Sequence, residues 1–187
     1  MSLFNKKPTI DSIINHLQSK GIATNKLSDT FVDFKLYDLN WRLSYEKDGL
    51  VISVGLGINP EFNRACMTAA NNRINNERFL VKAYVDSYQP LDKEGKPIPE
   101  AETEYGLVFH LETFCYTQDD FRKAYEFGIF AIKDAMEFHN RYYHQLGEEE
   151  RTQATNKIGF NAHKEENAEE AIVASDRPRP IGFKTNH

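Results

Sequence analysis

The residues best placed to do chemistry are His110 and Glu112. Read as a strand, period two puts this imidazole and this carboxylate on one face, a short step apart. A carboxylate beside an imidazole can orient it as a base or help it hold a metal. Lys82, Tyr84 and Asp86 join the same side if the neighbouring strand pairs in register. A metal site wants a third ligand, and the spacing along the chain supplies none. HExxH is absent, and Gly55-Leu56-Gly57 lacks the third glycine and the Lys-Ser/Thr of a phosphate loop. No GxSxG elbow is present. His139 and His144 stand five apart and so leave one helical face. Cys66 and Cys115 are far apart, without a CxxC pattern, and are expected as buried free thiols. The expectation is a chain without catalytic residue, metal or cofactor. The alternative is a small metal-dependent or hydrolytic enzyme centred on His110 and Glu112.

The elements that must position these residues follow from composition and periodicity. Of 187 residues 40% are hydrophobic, with 13 Phe and 9 Tyr, enough to build a core. The formal net charge of −5 disfavours non-specific binding to nucleic acid, which needs a basic surface. The start, Met1 to Lys7, has no apolar signal core, and no segment approaches the roughly 20 apolar residues of a membrane span. The expected compartment is the cytoplasm.

Ile10, Ile13, Ile14 and Leu17 share one face of a helix opened by Pro8-Thr9 and stopped by Gly21. Val32, Phe34 and Leu36, then Trp41, Leu43 and Tyr45, alternate with polar residues as strands do. Asp38-Leu39-Asn40 connects them, and Asp48-Gly49 signals a hairpin into a third strand, Leu50 to Leu56. Asn59-Pro60-Glu61 reads as a helix start, with Phe62, Ala65, Cys66, Ala69 and Arg73 on one stripe. Asn71, Asn72, Asn75 and Asn76 are weak helix formers that should fray its end. Two longer strands follow, Phe79 to Asp86 and Leu107 to Cys115, joined by a long exposed loop from Gln89 to Thr103.

A last helix starts at Thr117-Gln118-Asp119-Asp120 and is expected to end near Leu146, before Gly147. Its stripe runs from Phe121 through Tyr125, Gly128, Ile132 and His139 to Leu146, and Phe127 and Phe138 widen it. The apolar arc spans roughly 200°, and Phe130 lies outside even that. One sheet cannot cover so wide a face. Contiguous exposed apolar surface marks interaction sites, so Phe127, Phe130 and Phe138 are candidate protein-binding residues.

From 147 to 187 the chain is charged and poor in aromatics, and reads as a flexible tail. It carries two echoing triplets, Ile158-Gly159-Phe160 and Ile181-Gly182-Phe183, whose Ile158, Phe160, Ile181 and Phe183 are further candidate contacts.

The order α-β-β-β-α-β-β-α over residues 8–146 resembles the bacterial sensory-transduction-regulator-like family, which shares the fold of class I type III secretion chaperones. The likeness is carried by Phe34-Lys35-Leu36-Tyr37…Trp41, Asp48-Gly49, Asn59-Pro60-Glu61-Phe62 and Thr117-Gln118-Asp119-Asp120-Phe121. It implies a cytosolic, often dimeric, protein-binding module without cofactor, and it offers no catalytic residues to carry over. The tail and the long loop depart from it.

Together these readings give an α+β domain over residues 3–146: an antiparallel five-stranded sheet with helices against one face. The other face is expected to be mixed polar and aromatic, with Arg42, Tyr84, His110, Glu112 and Phe114 as candidate contacts. The expected function is a non-catalytic protein-binding module, chaperone-like or a regulatory adaptor, forming a homodimer and binding a protein partner.

Overall fold

Among the described residues nine elements follow the chain: α1 (Ile10–Ser19), β1 (Thr24–Lys26), β2 (Phe31–Leu36), β3 (Leu39–Glu46), β4 (Gly49–Ile58), α2 (Arg64–Glu77), β5 (Val81–Tyr88), β6 (Glu104–Phe114) and α3 (Gln118–Asn161). The structure is a computed structural model, describing residues 6–59, 61–78, 80–90, 92, 96, 98 and 101–161. The strands form one antiparallel sheet in the order β1-β2-β3-β4-β6-β5. The five-stranded sheet and the expected element order therefore need correction: the sheet has six strands, and the added one is β1. Thr24-Asn25-Lys26 is too short and too polar to alternate visibly, so periodicity passes over it. It is pinned from outside its own sequence. Gln18 of α1 donates to Thr24 Oγ1 at 3.0 Å, and Lys26 reaches both Asp11 and Asp29.

Local punctuation explains most boundaries. Thr9 and Ser12 form a reciprocal capping box on α1. At its other end Gly21 takes φ +76, and the bonds Gly21 N–H to Gln18 O and Ile22 N–H to Leu17 O close it as a Schellman turn. The β2–β3 turn places Tyr37 and Asp38 at φ 55 and 59, and the β3–β4 turn places Lys47 and Asp48 at φ 50 and 68. Two successive positive φ angles give the twist that a two-residue hairpin needs. The second turn thus sits one residue earlier than Asp48-Gly49, because Gly49 already pairs with Glu46 as part of β4. Neither turn has glycine at its centre, and side chains hold both. Lys133 of α3 lies 4.0 Å over the Tyr37 ring, and Lys7 pairs with Asp48 at 2.7 Å.

All three helices pack on the face that carries Val32, Trp41, Leu43, Ile52, Val54, Phe109 and Leu111, which are buried. α3 crosses the sheet tightly at Gly128, where an added Cβ would lie 2.7 Å from Ile52 Cδ1. A larger residue here requires the Ile52 side chain to move aside.

α2 starts later than expected. Asn59 accepts from the Glu61 amide in a local turn, while Asn63 caps the helix by accepting from the Cys66 amide at 3.0 Å. Pro60 and Phe79 lie outside the described residues. The buried face is Cys66, Met67, Ala70, Asn71 and Ile74, not the expected stripe of Phe62, Ala65, Cys66, Ala69 and Arg73. Two of the asparagines expected to fray the helix instead hold it. Asn75 accepts from Ala83 N at 2.8 Å and donates to Ala83 O at 3.1 Å, so its amide stands in for a neighbouring strand along β5. β5 is an edge of the sheet, and an edge left open is a template for aggregation.

α3 also overruns its expected end. It continues through Gly147 to Asn161, so Ile158-Gly159-Phe160 falls in its last turns. Those side chains, and the second triplet with Ile181 and Phe183, lie outside the described residues.

Candidate functional site

On the uncovered side of the sheet the register places Lys82, His110 and Ser53 in one row across β5, β6 and β4. His110 Nε2 is 3.7 Å from Glu112 Oε1, and Tyr84 meets the imidazole edge-on at 5.5 Å. The same-face reading of His110 and Glu112 is therefore correct in geometry. Lys82 does not join them, because its Nζ is turned to the Asn75 carbonyl at 3.1 Å. Among the described residues no group of three His, Cys, Asp or Glu side chains is set to hold a metal ion. What the pair can do is bind: an imidazole, a carboxylate and a phenol edge together offer donors and acceptors on an open surface.

Arg42 lies on this face too, with its guanidinium taken by Asp33 in a two-pronged bond of 2.8 and 3.0 Å. Phe114 is 69% exposed and Tyr116 63% exposed, and their rings stack at 6.4 Å. Phe31, Tyr84 and Tyr88 are exposed on the same side. The Tyr84 hydroxyl is held above the ordinary tyrosine range by burial, then by the Asp86 and Glu112 carboxylates. Acid therefore clusters around this ring.

The second surface is the outside of α3. Phe127 is 50% exposed and Phe130 is 70% exposed, three residues apart on one helix. Phe138, grouped with them by sequence, is different. It lies half-buried under Arg73 and Arg78 of α2, whose guanidinium carbons stand 5.3 and 4.6 Å from its ring centre, and it stacks on Tyr142 at 6.5 Å. α2 thus claims the flank of α3 that holds Phe138 and leaves Phe127 and Phe130 uncovered.

Between α2, α3 and the sheet lies a polar pair that periodicity did not mark. His139 Nε2 and Asn71 Oδ1 share a buried hydrogen bond of 2.9 Å. The ring meets Phe109 edge-on at 5.5 Å and stacks on Tyr143 at 6.4 Å. Burial pushes its pKa down to about 4, so it is neutral at pH 7 and Nε2 carries the proton that Asn71 accepts. The sequence signalled only His139, set in the apolar stripe of α3; Asn71 joins it because the buried face of α2 differs from the expected one. Both cysteines are buried and free, as expected. Burial, helped by Asp120, pushes the Cys115 thiol up to about 11, and burial with Glu150 raises that of Cys66. Neither is poised as a nucleophile.

Comparison with known proteins supports the fold. The chain resembles the crystal structure of YbjN from E. coli, a proposed transcription regulator, with a TM-score of 0.52 and 14% sequence identity. The match covers 74% of this chain and 94% of that one. At this identity the likeness shows a shared α+β fold. No protein-family profile matches the chain, and no curated protein matches it. Among the described residues no helix is long and apolar enough to cross a membrane.

Proposed function

We infer that this chain is a non-catalytic protein-binding module, a cytoplasmic regulatory adaptor of the chaperone-like kind that engages a protein through the outer face of α3. The observation that carries the reading is the exposure of Phe127 and Phe130, at 50% and 70%, side by side on a helix whose opposite face buries Phe121, Tyr125, Ile129, Ile132 and Ala135. Each Phe moved out of water gains roughly 1.5–3 kcal/mol. Such residues are retained on a surface at a cost in solubility, and a partner that covers them removes it. A regulatory role is in keeping with the fold shared with YbjN. A two-fold dimer would use the same patch on both copies, so a homodimer is the simplest assembly that would cover this face.

The test uses the full chain with Phe127→Asp and Phe130→Asp together. The double variant is expected to keep its thermal midpoint while losing both self-association in sedimentation and co-purification of the host protein. Retention of both by a folded double variant would reject α3 as the binding face. The enzyme alternative rests on His110 and Glu112 alone. It predicts stoichiometric metal or turnover that His110→Ala abolishes.

A further inference from the structure

We propose that the C-terminal segment from Arg177 to Lys184, Arg-Pro-Arg-Pro-Ile-Gly-Phe-Lys, docks in cis on the open face of β4, β6 and β5, against Tyr84, Tyr88, Asp86 and Glu112. The proposal does not rest on α3 as a binding surface.

Three observations carry it. The first is chemical fit. The segment holds Arg177 and Arg179, each followed by a proline, then Ile181 and Phe183, and then a third cation, Lys184. Proline-rich segments are extended in advance and settle on aromatic-lined surfaces. On the face, Tyr84 and Tyr88 stand exposed, Asp86 shares that side of β5, and Glu112 lies 3.7 Å from His110, whose ring meets Tyr84 at 5.5 Å. Tyr88 sits opposite Glu104. The basic groups nearby are engaged, since Lys82 turns to the Asn75 carbonyl and Arg42 is held by Asp33. Guanidinium groups both pair with carboxylates and stack on tyrosine rings.

The second is reach. The end of the sheet with Tyr88 is also the end that the C-terminal half of α3 overlies. Arg64 donates to Tyr105 of β6, while Asn63 bonds Tyr143 and Glu150 of α3. Beyond Glu150 the helix rises only about 16 Å to Asn161. A chain of the length between Asn161 and Arg177 spans up to roughly 50 Å and, as a coil, averages roughly 22 Å. Phe130 lies about 46 Å back along the helix from Asn161, well past that average. Phe130 therefore lies beyond that average reach, whereas the Tyr88 end of the sheet lies beside the C-terminal half of α3.

The third is the floor of the face. Gly55 opposes Val108, which in turn opposes Tyr84. The Gly55 backbone does not need glycine, because its φ is not positive, and a Cβ there would meet nothing within 4 Å. Glycine inside a strand costs stability and often marks a place where another backbone comes close.

The experiment is amide NMR on the full chain, comparing the native sequence with Arg177→Glu/Arg179→Glu and, separately, Phe183→Ser. The expected result is a set of shift changes at Tyr84, Asp86, Val108 and Glu112 that does not vary with protein concentration. Changes confined to the segment itself, or centred on Phe127 and Phe130, would overturn the proposal. Changes on the face that grow with concentration would also overturn it, by assigning the surface to a second copy.

Discussion

Acid should weaken this protein through one buried imidazole. His139 has a folded pKa of about 4 against 6.5 when free, the cause being burial. A histidine with a lowered folded pKa costs nothing above pH 6.5, where both states are neutral. Below that the unfolded chain takes up a proton that the folded one refuses, so stability falls as pH falls from 6.5 toward 4. The full effect is about 3 kcal/mol, from the size of the shift at roughly 1.4 kcal/mol per pKa unit. Between pH 7 and pH 5 the loss should already reach about 2 kcal/mol. That window avoids Asp48, Asp120 and Glu126, whose pKa values are lowered by their partners and whose contributions are lost only at more acid pH. His16 is also lowered, by burial and by Lys20 and Arg122, and acts with the same sign. Urea unfolding of the native chain and of His139→Gln at both pH values separates the two, since His16 is common to both. The glutamine variant is expected to be less stable at pH 7 and to lose about 2 kcal/mol less than the native chain on going to pH 5. Parallel losses in the two proteins would refute the reasoning.

Three further outcomes follow from the packing. Gly128→Ala should destabilise by about 1 kcal/mol, because the crowding of Ile52 outweighs the helix-propensity gain. In an Ile52→Val background, which removes the Cδ1 atom, the same change should become neutral or stabilising in denaturant titrations. An equal cost in both backgrounds would remove Ile52 as the cause. Asn75→Ala should cost about 1–3 kcal/mol and speed hydrogen exchange at Ala83, as its two bonds to the β5 edge are lost. Unchanged exchange at Ala83 would show that the edge is held by something else. Tyr45→Phe should lower stability by about 1 kcal/mol, since the Tyr45 hydroxyl lies 2.9 Å from the Cys115 carbonyl and 3.3 Å from Asp48. An unchanged unfolding midpoint would count against that link.

The parts of the fold that the chain displays openly are those where neighbouring residues decide the structure. Alternation at Val32-Phe34 and Trp41-Leu43-Tyr45 gave strands on the correct face, and the Thr9 and Gly21 signals bounded α1. What stayed hidden depends on partners distant in sequence. β1 is held by α1 and a nearby acid, and none of its three residues announces a strand. Asn71 and Asn75 look like poor helix formers, and their value lies in bonds to His139 and Ala83. Gly147 reads as a stop, but without a left-handed turn it is only a weak helix residue, and α3 runs through it. The candidate sites divide in the same way. The same-face placement of His110 and Glu112 follows from period two alone. Whether Phe138 is free like Phe130 turns on Arg73 and Arg78, which no spacing within α3 reveals.

Phe127 and Phe130 are the proposed contact surface. Its most direct measurement is photo-crosslinking in the native host with p-benzoylphenylalanine at position 130, beside a control at Lys47, an exposed hairpin tip. A discrete covalent adduct with a protein at position 130 and none at position 47 is the predicted result. Equal, diffuse labelling from both positions, or no adduct at 130, would contradict it.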